Sequence, residues 1–150
     1  MRIALYQPDI PQNTGNIFRL GACLGVSVDI IEPTGFIFDD KRFKRSAMDY
    51  LDHIDYKRHI DWQHFYNWTK KNNFRLILMT TKCKKSYYDF KFHKSDILLF
   101  GRESSGVPET IHNIVDHRLT IPMKDGVRSI NLSSSVALVL GEGLRQTNHL

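Results

Sequence analysis

Four short runs of nearly unbroken apolar residues, at 2–6, 26–31, 74–80 and 96–100, limit the folds open to this chain more than any other feature. A strand with one wet face alternates apolar and polar residues. The run Asp-Ile-Leu-Leu-Phe at 96–100 leaves no face for water, which suits strands of a parallel sheet buried on both sides. Between these runs the spacing turns helical. Ile17, Leu20, Ala22, Cys23 and Leu24 read as a helix that Gly25 ends. Residues 39–47 read as a basic, exposed helix, and 61–71 as a helix packing an aromatic face of Trp62, Phe65, Tyr66 and Trp68. A short helix runs from Pro108 to about Val115, with proline in its first turn. A last strand at 119–121 is stopped by Pro122, and Ser133 caps a final helix from Ser134 to about Asn148. Alternating strands and helices predict an α/β fold with a mainly parallel sheet flanked by helices. The 150 residues suffice for one core, so 1–150 is read as a single domain.

Charge narrows the partners. Lys and Arg number 21 against 16 Asp and Glu, a net +5, and many sit in clusters: Lys41, Arg42, Lys44 and Arg45 in one, Lys84 and Lys85 in another. Such clusters favour an anionic partner, nucleic acid first and an acidic membrane surface second, although solvated helix faces are equally basic. The two cysteines, Cys23 and Cys83, lie far apart without a CxxC spacing. The N-terminus has no charged segment followed by an apolar one, so a cytoplasmic, reduced protein is expected. No apolar run nears the roughly 20 residues that span a bilayer, so no membrane is expected. The seven histidines (53, 59, 64, 93, 112, 117, 149) form no ligand pair, and no metal is expected.

In open α/β sheets, ligands bind outside the carboxyl ends of the strands. The loops that leave those ends are 7–16, 80–86, 101–107 and 122–133. The last of them leads into a helix and gathers Ser129, Asn131, Ser133, Ser134 and Ser135, polar groups that can meet a ligand at the helix's positive end or simply cap the helix. There is neither GxGxxG nor GxxxxGK[ST], which removes the common dinucleotide and phosphate-loop readings.

Three segments together resemble the signature of the SPOUT superfamily, in its SpoU branch of RNA ribose 2'-O-methyltransferases. They are Asn13-x-Gly15-Asn16-x-x-Arg19, then Gly101-x-Glu103-x-x-Gly106-Val107-Pro108, then Ile121-Pro122-Met123 followed by Arg128-Ser129-x-Asn131-Leu132-Ser133. The short chain and its opening residues are similar to the single-domain group that acts on the wobble nucleotide, position 34, of tRNA. The resemblance implies a C-terminal trefoil knot, S-adenosyl-L-methionine as cofactor, the tRNA anticodon stem-loop as partner, and a homodimer whose site draws on both chains. Residue by residue, it places cofactor contacts on Met79, Gly101, Ile121 and Ser129, and catalytic or RNA-side roles on Asn13, Arg19, Glu103, Ser129 and Asn131. Without a separate RNA-binding domain, phosphate contacts are expected from Arg19, Lys41, Arg42, Lys44, Arg45, Lys84 and Lys85.

The chain departs from that group at Arg102, where proline is common, which predicts a looser loop or an added phosphate contact. It departs again at Gly141 and Gly143, where an aromatic residue and alanine are common; each glycine costs a helix interior roughly 1 kcal/mol unless it allows close packing. Other readings of the same motifs are a ribose methyltransferase acting on rRNA or another tRNA position, a silent RNA-binding module, and a small nucleotide sensor.

Overall fold

The structure is a computed structural model that describes residues 1–38 and 41–148. Among the described residues, six strands form one sheet in the order β3-β2-β1-β5-β4-β6. They are β1 (Arg2–Tyr6), β2 (Ser27–Ile31), β3 (Tyr56–His59), β4 (Arg75–Met79), β5 (Asp96–Phe100) and β6 (His117–Leu119), and every paired neighbour is parallel. The expected α/β class and parallel sheet are thus present. The helices are α1 (Pro11–Leu24), α2 (Lys41–Ala47), α3 (Trp62–Lys71), α4 (Glu109–Ile114) and α5 (Leu132–Thr147).

Period-2 side-chain alternation divides the core into two layers. Ile3, Leu5, Leu98 and Phe100 point to one face, where they join Phe18 of α1, Phe43 of α2, and Val136 and Leu140 of α5. Ala4, Tyr6, Ile97 and Leu99 point to the other, against Phe65 of α3 and Ile111 of α4. Both faces are covered, which is why these strands contain so few polar residues. Trp62, Tyr66 and Trp68 pack against the second layer, as expected for a core face.

Several boundaries differ from the sequence expectation. α1 begins at Pro11 rather than near Ile17, because proline sits in its first turn and Asn13, Thr14 and Gly15 are buried in it. The helix ends as predicted, on Gly25 at φ 63°. The basic helix expected at 39–47 is α2; Asp39 lies outside the described residues, as does His149. α2 is not wholly exposed, since Phe43 and Ala47 are buried. β3, Tyr-Lys-Arg-His, is an edge strand with only His59 buried, and its polar sequence gave no strand signal. The last strand is 117–119 rather than 119–121. Beyond it the chain meets two neighbours: Thr80 N–H donates to Leu119 O at 2.9 Å, while Thr120 N–H donates to Lys85 O at 2.8 Å and the Thr120 carbonyl accepts from Tyr87 N–H at 3.1 Å. The chain after β6 is therefore hydrogen-bonded both to the end of β4 and to the stretch that follows it.

Of the two late glycines, Gly143 lies against the flexible end of the Met1 side chain, whose Cε would have to move from the 2.6 Å at which a Cβ would meet it. Gly141 is exposed, with nothing within 4 Å of the place its Cβ would take.

Candidate active site

The carboxyl ends of β4 and β5, the turn 101–107 and the stretch 120–132 surround a cleft of about 570 Å³. The turn is closed backbone to backbone. Arg102 N–H donates to Gly106 O at 3.0 Å and Gly106 N–H to Arg102 O at 2.9 Å. A Cβ on Gly101 would lie 2.5 Å from the Gly106 carbonyl carbon, and Gly106 itself sits at φ 67°, so both positions demand glycine.

Glu103, at the crest of that turn, points back to the start of α1. Its Oε2 accepts the Asp9 N–H at 2.8 Å, and its Oε1 accepts the Ile10 N–H and Asn13 Nδ2, both at 3.4 Å. Asn13 Oδ1 in turn accepts from Asn131 Nδ2 at 2.9 Å. Residues from three distant motif segments are thereby joined at one cleft, with Glu103 accepting from Asn13 and loop amides. Asn131, not Ser133, caps α5: its Oδ1 accepts the N–H groups of Ser133 at 2.9 Å and Ser134 at 3.4 Å. The helix therefore starts at Leu132, and these amides are spent on the cap rather than offered to a ligand.

Met79, Gly101, Ile121 and Ser129, the residues carried over for the cofactor, all line the cleft, together with Asn13, Glu103 and Asn131. Arg19 does not. It is exposed on α1 with its guanidinium 5.2 Å from the Tyr50 ring, and it is not among the cleft-lining residues of its own chain. Lys41, Arg42, Lys44 and Arg45 are exposed on α2, which packs on α1; Lys84 and Lys85 are exposed in the stretch after β4, beside the cleft residue Lys82. Lys85 Nζ also stands 5.1 Å from the Phe90 ring.

Arg102 lines the cleft and does not loosen the turn. Its Nη2 and Nε donate to Asp9 Oδ1 at 2.6 and 3.1 Å, and the Ser104 hydroxyl and N–H donate to Oδ2 at 2.6 and 3.2 Å. Burial pushes the Asp9 carboxyl up, but the hydrogen bonds from Arg102 and Ser104 together outweigh it and leave Asp9 below its ordinary 3.8. The same bonds hold the Arg102 guanidinium above its usual range.

Sequence reasoning passed over Asp9, Ser104, His112 and Arg128. Arg128 stands inside a recognised motif and could have been included. Asp9 and Ser104 acquire meaning only when two loops far apart in sequence meet, and His112 lines the cleft from α4. Among the described residues no group of three or more His, Cys, Asp or Glu could hold a metal ion. The cleft does suit an organic cofactor: its volume is in the ordinary range for such sites, and Leu78, Met79, Phe100, Ile121 and Leu132 give it an apolar wall beside polar loop groups.

The model of the SpoU rRNA Methylase family matches residues 1–141. The chain belongs to that family. Among its curated relatives, the tRNA (cytidine(34)-2'-O)-methyltransferase of Beijerinckia indica is 50% identical over 99% of this chain and 92% of its own. The Escherichia coli K12 enzyme of the same name is 39% identical over 99% of this chain and 95% of its own. A structure solved in work on the 2-OH methylation of C/U34 on tRNA superposes with a TM-score of 0.91 at 36% identity, covering 97% of this chain and 94% of that one. The fold is shared more widely. The SpoU methyltransferase AviRb of Streptomyces viridochromogenes, solved with AdoMet, has a TM-score of 0.89 at 22% identity over 97% of this chain and 60% of its own. This SpoU-family chain thus spans nearly the whole length of its 34-position relatives.

Proposed function

We propose that this protein transfers a methyl group from S-adenosyl-L-methionine to the ribose 2'-hydroxyl of the wobble nucleotide, position 34, cytidine or modified uridine, of tRNA. The observation that carries the reading is the joining of Asn13, Glu103 and Asn131 at the mouth of one cleft, in a chain half identical over nearly all its length to an enzyme named for that reaction.

Met79 and Ile121 would hold the apolar parts of the cofactor, with the Gly101 backbone and Ser129 at its polar parts. Bound there, S-adenosyl-L-methionine supplies an electrophilic methyl group on a sulfonium. The protein's own task is alignment, which in the best intramolecular models accounts for about 7 to 11 kcal/mol of barrier. Glu103 fixes the start of α1, and Asn13 and Asn131 tie it to the start of α5, so both walls of the cleft keep one spacing. As the carbon–oxygen bond forms and the carbon–sulfur bond breaks, the hydroxyl proton must leave. Arginine stays protonated in proteins, so Arg19 serves as a clamp on a phosphate and stabilises the developing alkoxide, while the proton passes to phosphate or water.

Arg19 lies outside its own chain's cleft, and this supports a homodimer in which each cleft receives Arg19 from the partner. The exposed clusters Lys41, Arg42, Lys44 and Arg45, and Lys84 and Lys85, grip the anticodon stem-loop through its phosphates. A cytoplasmic location follows from a tRNA substrate, and Cys23 and Cys83 are free thiols. No helix among the described residues is long and apolar enough to cross a membrane.

The test is incubation with labelled S-adenosyl-L-methionine and tRNA lacking ribose methylation, followed by nuclease digestion and mass spectrometry. A 2'-O-methyl group at position 34 is the expected product. Methylation of another tRNA position, or of rRNA alone, keeps the chemistry and overturns the target. Cofactor binding without transfer overturns both in favour of an RNA-binding module.

A further inference from the structure

Two carboxylates are exchanged between the loop after β1 and the turn after β5. Asp9 reaches into the turn and takes Arg102 on one oxygen and Ser104 on the other, with shortest contacts of 2.6 Å each. Glu103, between those two residues, reaches back and takes the Asp9 N–H at 2.8 Å. Neither loop can shift without breaking bonds that the other makes. Behind Asp9 the space is closed: a Cβ on Gly35 would lie 3.0 Å from Asp9 Cα, and Gly35 N–H donates to Pro8 O at 2.8 Å.

From Glu103 the bonding continues inward through Asn13 at 3.4 Å and Asn131 at 2.9 Å to the N-terminus of α5. Asp9 is at the outer end of this sequence of bonds, and it is not itself among the residues that line the cleft. A charge-assisted pair in which Arg102 Nε and Nη2 share Asp9 Oδ1, while Ser104 holds Oδ2, has a defined geometry, so it can hold the crest of a turn in one orientation where a single neutral bond could not. Glu103 depends on that orientation, because its two oxygens must meet three donors at once.

We propose that Asp9 is a positioning residue of the transfer site: with Arg102 and Ser104 it sets the turn so that Glu103 holds Asn13, and through it Asn131, in register at the cleft mouth. This rests on the methyl-transfer reading above. A merely structural staple would affect stability and leave the catalytic constants alone. A positioning residue acts on alignment, so its loss falls on kcat and spares KM and cofactor affinity.

The experiment compares Asp9→Ala, Arg102→Ala, the double variant and Gly35→Ala with the wild type by two measurements. In the free protein, nuclear magnetic resonance follows exchange of the Ile10 N–H and the side-chain amide protons of Asn13 and Asn131. Exchange should be roughly tenfold faster in each single variant and no faster in the double, because the two residues act as one unit. Single-turnover assays should then show kcat lower by roughly tenfold, with KM for tRNA and the Kd of S-adenosyl-L-methionine within about twofold. Gly35→Ala, which displaces Asp9 without altering its carboxylate, should behave in the same direction.

Unchanged exchange at Asn13 and Asn131 overturns the proposal, whatever the activity. A raised KM with an unchanged kcat overturns it as well, and makes Asp9 or Arg102 part of an RNA contact. If the wild type methylates no tRNA, the functional reading fails, while the exchange data still decide whether Asp9 positions the two asparagines.

Discussion

Glu103 must satisfy three donors from the loop before α1 and its first turn, and only a carboxylate has the acceptor capacity to do so. Glu103→Gln keeps the shape but replaces one oxygen with an N–H₂ group, which turns a donor toward donors. We expect a loss of about 1 to 3 kcal/mol in urea unfolding, the usual cost of an unsatisfied half-buried polar group, together with loss of single-turnover methylation. Asp9 makes a pH-dependent contribution of definite sign. Its carboxyl is lowered from the ordinary 3.8 in the folded chain, so its stabilisation is complete above that value and is lost as pH falls through the lowered one. Wild type and Asp9→Asn should therefore differ in stability at neutral pH and converge in acid below about 3.8, which a series of thermal melts would show.

At the level of elements, the contact between α1 and α2 depends on one missing side chain. A Cβ on Gly15 would come within 2.3 Å of Ser46 Cβ and 3.2 Å of the Ser46 carbonyl carbon, so the helices could not pack as they do. Gly15→Ala should cost about 1 to 3 kcal/mol, read as a lower Tm, despite alanine's better helix propensity. The same residue shows where the sequence was legible and where it was not. β1, β2, β4 and β5 were readable because burial on both faces leaves near-continuous apolar runs, and α3 because Trp62, Phe65, Tyr66 and Trp68 recur on one helix face that packs on the core. Asn-Thr-Gly-Asn at 13–16 reads as a turn by local chemistry; it is helical because Pro11 starts the helix early and α2 needs glycine at position 15. β3 was invisible because an edge strand needs little apolar surface: Lys57 lies over Trp68 at 4.8 Å and Arg58 over Phe38 at 4.3 Å, so its charges are part of its packing. The cleft motifs were legible as segments, but their bonding partners were not: Arg102 and Asp9 meet across 93 positions of sequence.

For the whole molecule, the question is which chain supplies Arg19. Arg19 follows Asn13 by six residues. Because α1 is continuous from Pro11, six residues turn the side chain by about 240° around the helix axis, away from the cleft that Asn13 lines. A basic group so placed lies outside its own cleft, and in the proposed homodimer it would clamp a phosphate at the cleft of the second copy, an exchange that two-fold assemblies make reciprocal. Mixing two inactive variants tests this. Arg19→Ala retains a complete cleft and lacks only the clamp; Glu103→Gln retains the clamp and lacks the cleft frame. In a heterodimer of the two, the cleft of the Arg19→Ala chain receives the intact Arg19 of the other and should work, while the opposite cleft should not. Co-refolding equal amounts should restore about a quarter of wild-type methylation, since half the dimers are mixed and each carries one working site of two. If Arg19 served its own chain, each mixed dimer would hold two defective sites and the mixture would stay as inactive as its parents. Activity that recovers with mixing, and only after subunits have had the chance to exchange, is the outcome expected of a site that takes Arg19 from the partner.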